Sequence, residues 1–422
     1  MNSTNNQKIP HIVVLGAGFG GVYVTKKMLH AVRAGLIDVT IVNRTNYFLF
    51  TPLLHEVATG ALSPTCVAEP LREVFHGTKV RVVQGNVDSI NTANKTVTIS
   101  GNPIAYDSLV IATGAETNYY GIAGAQENTL PLKNLYDAAR IRSVIIDRFE
   151  KAATTKDKSE KESLLSFAVV GGGATGVEMA AELAEFVAGI SERYYSIHDC
   201  TPEIAKVSIV DTGPELLQMF APSLRKAAEN RLIKAGVAVY HNSAVTSVTP
   251  EGLTLANSTT IPAKTVIWSA GVKAIIPKFE DIQPTLVKGR ISVNNFFQML
   301  NSENVISDIF VLGDVASYPT PLPMLAQVAE GQAATVAKNI CAQVSGRPLA
   351  GFTYKSKGSM VSVGQWFAIG EIFSMKISGR ITWWMWRTVY LFKFASFKKR
   401  VRIMFEWTLE LFFPRDITKI IN

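Results

Sequence analysis

Short apolar runs recur along the chain: His11-Ile12-Val13-Val14-Leu15, Val39-Thr40-Ile41-Val42, Ser108-Leu109-Val110-Ile111, Phe167-Ala168-Val169-Val170, Val207-Ser208-Ile209-Val210, Thr265-Val266-Ile267-Trp268 and Ile309-Phe310-Val311-Leu312. Each is too short for a helix, and most are continuous rather than alternating. That is the pattern of strands buried on both faces, as in a parallel sheet covered by helices. Between the runs lie helical spacings, after the first glycine turn within 11–42, from Gly176 towards Val187, at Leu135–Glu150 and at 324–345. Val80–Val83 and Thr96–Ile99 read instead as short strands of an antiparallel addition, and Lys151–Ser163 as an exposed loop or helix end. The fold class predicted is α/β.

Two of the strands run into glycine clusters. Gly16-Ala17-Gly18-Phe19-Gly20-Gly21 follows the first strand, and Gly171-Gly172-Gly173-Ala174-Thr175-Gly176 follows the fourth. Both fit G-x-G-x-x-G, a tight turn, a close backbone approach and a close helix–strand packing in that order. A dinucleotide diphosphate rests on the amides and positive dipole end of such a helix. Two Rossmann-type units therefore predict two dinucleotides, FAD and NADH, and electron transfer between them. At the end of the second strand, where an acidic residue normally holds the ribose, the chain has Asn43 and Arg44. Asp211 ends the corresponding strand of the second unit, 40 residues after Gly171, where ~20 is usual. The excess fits an insertion at Ser191–Glu203, and an aspartate with no arginine close behind it favours NADH over NADPH. Three further strands end in turns that add to the candidate cofactor set: Ala112-Thr113-Gly114, Gly271 after Ser269-Ala270, and Gly313-Asp314. The predicted domains are 1–118 (FAD, first part), 119–275 (NADH, inserted in the first), 276–350 (FAD, second part) and 351–422 (C-terminal docking and dimerisation).

Composition narrows the class. The three cysteines, Cys66, Cys200 and Cys341, are widely spaced with no C-x-x-C, which suits a reducing compartment and disfavours a redox-active cysteine pair. The polar Met1–Pro10 carries no targeting pattern. No metal set is evident. The net charge of +8 is matched by eight basic residues between Ile372 and Phe405, a stretch without one acidic residue. Five of the six tryptophans follow residue 365. Aromatic and basic residues together indicate an anionic membrane surface rather than nucleic acid. Arg387 and Lys393 interrupt the aromatic run 381–394, so it lies along a bilayer rather than across it.

Asn43-Arg44-Thr45-Asn46-Tyr47-Phe48-Leu49-Phe50-Thr51-Pro52-Leu53-Leu54 with Val57-Ala58-Thr59-Gly60 resembles the type II NADH:quinone oxidoreductases. So do Gly171–Glu178, Leu312-Gly313-Asp314, Ala326-Gln327-Val328-Ala329 and Lys357-Gly358-Ser359-Met360. The resemblance runs from about residue 10 to the C-terminus. It implies a two-dinucleotide flavoprotein that takes a hydride from NADH onto non-covalent FAD and reduces a membrane quinone without pumping protons. It also implies peripheral attachment to the cytoplasmic side of the cell membrane, through a C-terminal region that in members often serves as a homodimer interface too. Asp314 would bond the ribityl or phosphate part of FAD rather than cap the helix that follows. Glu178, placed by spacing in the first turn of its helix, would lie near the nicotinamide–flavin junction and assist proton delivery. Gln327 and Lys357 would hold the quinone carbonyls, with Thr51, Pro52 and Leu53 lining the pocket. His55 is expected to be packing or surface. Two departures stand out: Asn43 for the usual acid, and Gly331 where members often carry a second glutamine, with Gln332 one position on. A sulfide:quinone or ferredoxin reductase, and an NADH-sensing flavoprotein, are the alternatives.

Overall fold

The structure is a computed structural model that describes residues 8–302, 304–394 and 396–419. Met1–Gln7, most of the polar lead noted above, lie outside the described residues. The chain divides into two compact units, each made of three separate segments: 1–48, 69–116 and 272–355 form one, and 49–68, 117–271 and 356–422 the other.

The first unit is built on a six-stranded sheet, in the order Gln298–Asn301, Asn304–Val311, Ser108–Ile111, His11–Leu15, Asp38–Asn43 and Arg81–Gln84. All neighbours are parallel except the first two. Ile12 to Leu15 and Ser108 to Ile111 are buried throughout, as continuous apolar runs require. Arg81–Gln84 corrects the antiparallel assignment of 80–83: it pairs in parallel with Asp38–Asn43 as the sheet edge. Its half-exposed burial pattern explains why its composition resembles that of a solvent-facing strand. Thr96–Ile99 does belong to an antiparallel sheet, with Val87–Asn91 and Asn102–Ala105. Helix Phe19–Arg33 packs against helix Ala326–Val344.

The second unit repeats the plan. Its five strands, Leu130–Pro131, Thr265–Trp268, Ser166–Val170, Lys206–Val210 and Val237–Tyr240, are all parallel. A three-stranded antiparallel sheet accompanies them (Val245–Thr249, Gly252–Leu255 and Thr260–Pro262). Helix Leu135–Thr154 opens with a reciprocal capping box between Asn134 and Asp137. Of the stretch read as an exposed loop or helix end, residues 151–154 end the helix Leu135–Thr154, and a short helix, Lys158–Leu164, takes up much of the rest, with Asp157 capping it by accepting from the Glu160 amide. The fingerprint helix runs Ala174–Ile190 and passes into a π-helical turn, Ser191–Tyr195, at the start of the predicted insertion. The C-terminal segment adds an antiparallel sheet (Ser359–Ser362, Ala368–Ile372 and Met375–Gly379) and two helices, Arg380–Lys393 and Phe397–Glu410.

Candidate functional site

The two glycine loops have the same local construction. Gly16 and Gly171 both have positive φ, +94° and +112°, which the tight turn demands and only glycine adopts freely. A Cβ on Gly16 would run into the Ala112 carbonyl, and one on Gly171 would lie 2.9 Å from Ala270 N. The turns Ala112-Thr113-Gly114 and Ser269-Ala270-Gly271 therefore sit directly behind the first glycines. Each turn is tied down: Thr113 Oγ1 donates to the Ile275 carbonyl at 2.5 Å, and Ser269 Oγ to the Val170 carbonyl at 2.8 Å. The third glycines, Gly21 and Gly176, have no room for a methyl, because it would overlap the carbonyl oxygens of Gly16 and Gly171. The middle glycines differ. A Cβ on Gly18 or Gly173 would meet nothing within 4 Å. Each is the N-cap of its helix, with no side-chain cap and no acidic residue in the first turn. The helix amides thus face open space that suits a diphosphate. Gly20 serves packing, since its Cβ would lie 3.3 Å from Leu312 Cδ1.

Asn43 and Asp211 also correspond. Asn43 Oδ1 accepts from the Ala17 amide at 3.0 Å, and Asp211 Oδ2 from the Gly172 amide at 2.6 Å; each donor is the residue after a first glycine. The Asn43 amide also donates to the Thr45 and Tyr47 carbonyls, at 3.0 and 3.4 Å. A carboxylate has no proton for those bonds, which accounts for the amide here. Arg44 is exposed, and its carbonyl accepts from Gln84. Gly313, at φ +78°, opens a 3-10 turn through Val315 that carries the half-buried Asp314. The next helix starts only at Ala326, with Leu325 at its N-cap, so Asp314 does not cap it. Asp314 instead lines a cleft with Tyr318, Leu322 and Met324. Gln332, buried, accepts from the Gly313 amide at 2.7 Å, so this glutamine braces the turn. A Cβ on Gly331 would lie 3.4 Å from the Phe352 ring. Gln327 is half-buried on the first turn of its helix.

Glu178 lies in the second turn of its helix rather than the first, because the helix begins at Ala174, and so it falls outside the first-turn dipole effect. It is 6% exposed. Its Oε1 accepts from the Ser362 amide at 3.2 Å, and Oε2 is 3.8 Å from His55 Nδ1. Burial holds its carboxyl well above the usual carboxylate range, against the pull of the Ser362 amide. Glu182 and Glu185 follow at helical spacing. Glu182 takes the Arg415 guanidinium at 2.6 Å. Glu185 pairs with Arg231 at 3.0 Å and accepts from the Gln365 amide; burial and the neighbouring Glu182 push it to about 7. Arg415 also bonds Glu410 at 2.7 Å, and Glu410 bonds Arg387 at 3.0 Å. Glu56, 3% exposed, accepts from the Trp407 indole at 2.7 Å, and burial pushes it up to about 8. His55 is buried as well. Burial and the Arg415 charge lower it to about 3, so its ring is neutral.

His55 is therefore packed, as expected, but inside a buried polar cluster that sequence reasoning misses. A readable signal exists: Glu178, Glu182 and Glu185 fall on one face of an otherwise apolar helix, with partners that only the fold supplies. Thr51 is exposed, Pro52 half-buried and Leu53 buried on the 3-10 turn just before His55, whereas Lys357 is exposed.

The C-terminal segment requires a correction. Arg387, expected among the membrane-facing cations, is 5% exposed and stacks over the Trp383 and Trp407 rings at 3.9 and 4.9 Å. Trp383, Trp386 and Trp407 are likewise buried, leaving Trp384 as the exposed indole of the two helices. The exposed apolar surface is supplied by other residues. More than half of the exposed large apolar side chains among the described residues lie between Phe373 and Phe413, including Ile381, Phe392, Phe397 and Phe412. Lys398 is exposed, Lys399 lies close against the Thr65 carbonyl, and Arg400 binds the Phe394 carbonyl. No described helix is long and apolar enough to cross a membrane.

Comparison with known proteins bears on family and fold. Residues 10–333 match the pyridine nucleotide-disulphide oxidoreductase family, and 356–416 match the NDH2 C-terminal domain. A type II NADH:quinone oxidoreductase of Mycobacterium tuberculosis is 33% identical over 94% of this chain and 87% of its own length. One from Staphylococcus saprophyticus is 29% identical over 87% of this chain and 91% of its own. The structure of NDH2 from Plasmodium falciparum in complex with NADH superposes with a TM-score of 0.88 at 21% identity, covering 98% of this chain and all of that one. The sulfide:quinone oxidoreductase of Aquifex aeolicus reaches 0.71 at 19% identity, with 97% and 96% covered. At such identities the likeness is one of fold.

Proposed function

The chain belongs to the type II NADH:quinone oxidoreductase family, and on that footing we propose how its residues divide the work of moving two electrons from NADH to a membrane quinone. The 16–21 loop, with Asn43, Arg44, the 112–114 turn and Gly313-Asp314, holds FAD. The 171–176 loop, with Asp211 and Gly271, holds NADH. The carrying observation is the matched pair of cradles: in each unit the first and third glycines are sterically required, and the middle one leaves its helix amides open. FAD is the family's flavin, and when bound it supplies the acceptor for the hydride. Asp211 is held beside its loop by the Gly172 and Gly213 amides, a position suited to a ribose hydroxyl and unfavourable to a phosphate.

Thr51, Pro52 and Leu53 line the quinone site and Lys357 reaches a quinone carbonyl, while Gln327 takes the same role from its helix. Glu178 is the proton-bearing group that serves them. The exposed apolar residues from Phe373 to Phe413, with Lys398 and Lys399, seat the protein on the anionic, cytoplasmic face of the cell membrane. A second copy pairing through part of this face accounts for the remaining apolar surface, and sedimentation with and without anionic vesicles separates the two uses.

The test is anaerobic. The FAD-loaded protein is bleached with NADH and then mixed with a short-chain quinone. Rapid reoxidation is expected. Bleaching that persists after quinone addition would overturn the assignment in favour of an NADH sensor, and indifference to NADH with a response to sulfide would favour a sulfide:quinone enzyme.

A further inference from the structure

The buried cluster of the second unit has a charge count that bears on the reaction. Four carboxyl groups, Glu56, Glu178, Glu182 and Glu410, share it with two guanidiniums, Arg387 and Arg415. Glu185, beside the cluster and raised by Glu182, pairs with Arg231, and Arg142, on the helix packed against Leu54–Ala58, pairs with Asp416. Buried charge is retained only where it is paired, so neutrality of the cluster requires two protons on its carboxyls. The hydrogen bonds say which ones. Glu182 bonds Arg415, and Glu410 bonds both arginines. Among the described residues neither Glu56 nor Glu178 hydrogen-bonds a guanidinium; Glu56 takes the Trp407 indole, and Glu178 the Ser362 amide with the Trp386 indole beside it.

We propose that Glu56 and Glu178 form a two-proton store, with His55 beside Glu178, that supplies both protons taken up when the quinone is reduced. The two carboxyls lie close enough for the Glu56 charge to act on Glu178. The His55 Nδ1 lies 3.8 Å from Glu178, the Pro52 carbonyl approaches its ring, and its Nε2 is buried with no partner among the described residues. The upward displacement of both carboxyls by burial agrees with protonated side chains at neutral pH. Tyr390 also faces Glu178, and burial keeps its phenol protonated.

The balance closes. Reduction of the quinone takes two electrons in all and places one proton on each carbonyl oxygen. Hydride from NADH brings both electrons and one proton, and water supplies the other. The store gives up two protons as the quinol forms; one is replaced by the proton that arrived with the hydride and one from water.

This inference rests on the quinone-reductase reading and is tested on the FAD-loaded protein. Infrared difference spectra in H2O and D2O should show the protonated-carboxyl stretches of Glu56 and Glu178 in the wild type, one lost in Glu56→Gln and the other in Glu178→Gln. In Glu56→Gln, the ratio of flavin reoxidation by a water-soluble benzoquinone to flavin reduction by NADH should fall by ~10-fold or more, and its dependence on pH should flatten. Glu56→Asp should restore both, which a purely structural role would not produce. If Glu56→Gln keeps both bands, or keeps the wild-type ratio and pH profile, the store is overturned while the function stands. If wild-type flavin is reduced by NADH but not reoxidised by quinone, both fall.

Discussion

Two alanine substitutions three residues apart should separate binding from folding. Gly173 has φ −74°, and a methyl there would meet nothing within 4 Å, so Gly173→Ala fits the folded chain. Reduced freedom in the unfolded chain should leave stability unchanged or raised by about 0.4–1 kcal/mol. The methyl, however, fills the space in front of the helix amides, where the NADH diphosphate would lie. Loss of one charge-assisted hydrogen bond costs about 1.5–3 kcal/mol, or roughly 10- to 100-fold in Kd. At Gly176 the outcome reverses. A methyl would overlap the Gly171 carbonyl oxygen and lie 2.7 Å from Ser269 Oγ. Overpacking of this kind costs about 1–3 kcal/mol, against roughly 1 kcal/mol of helix propensity regained. Gly176→Ala should therefore lower the melting temperature. Gly18→Ala and Gly21→Ala should repeat the contrast in the first unit, with FAD retention as the readout. Thermal unfolding and NADH titration of the FAD-loaded protein measure both effects. Wild-type NADH affinity in Gly173→Ala, or wild-type stability in Gly176→Ala, would refute the reasoning.

Further outcomes follow from the buried charges. Glu56, raised to about 8, and Glu185, raised to about 7, hold protons that the unfolded chain releases from about pH 4.5 upward, so their contribution to stability declines as pH rises through 7 and 8. His55, lowered to about 3, works oppositely: the unfolded chain takes up a proton below about 6.5, and stability declines as pH falls towards 3. Denaturant midpoints should peak at about pH 4.5, where the opposing slopes cancel, and Glu56→Gln should flatten the decline above it. Arg387→Gln removes one partner from buried Glu410 and should cost about 3–5 kcal/mol in denaturant unfolding. Lys398→Gln with Lys399→Gln should instead leave the fold intact and weaken sedimentation with anionic vesicles roughly 10- to 30-fold, at about 1 kcal/mol per charge. Asn43→Asp loses the donors to Thr45 and Tyr47 and should destabilise the 43–47 turn by about 1–2 kcal/mol, read as faster FAD loss on dilution.

Much of the fold was legible because its determinants are local. Strands buried on both faces must be continuous apolar runs, and a diphosphate turn must have glycines at fixed offsets, so both sheets and both cradles stood in the order of residues. The Asp211 position was equally readable, as the polar residue that ends a strand. What stayed hidden depends on partners distant in the chain. Arg387 looks like a surface cation in an aromatic helix until Glu410, Trp383 and Trp407 enclose it. The 81–84 strand has the composition of a solvent-facing strand, and only its register against Asp38–Asn43 makes it parallel. Glu56 and His55 are unremarkable in sequence. Burial changes their chemistry, because removing water makes each charge depend on which guanidinium lies within reach, and that is decided by tertiary packing alone.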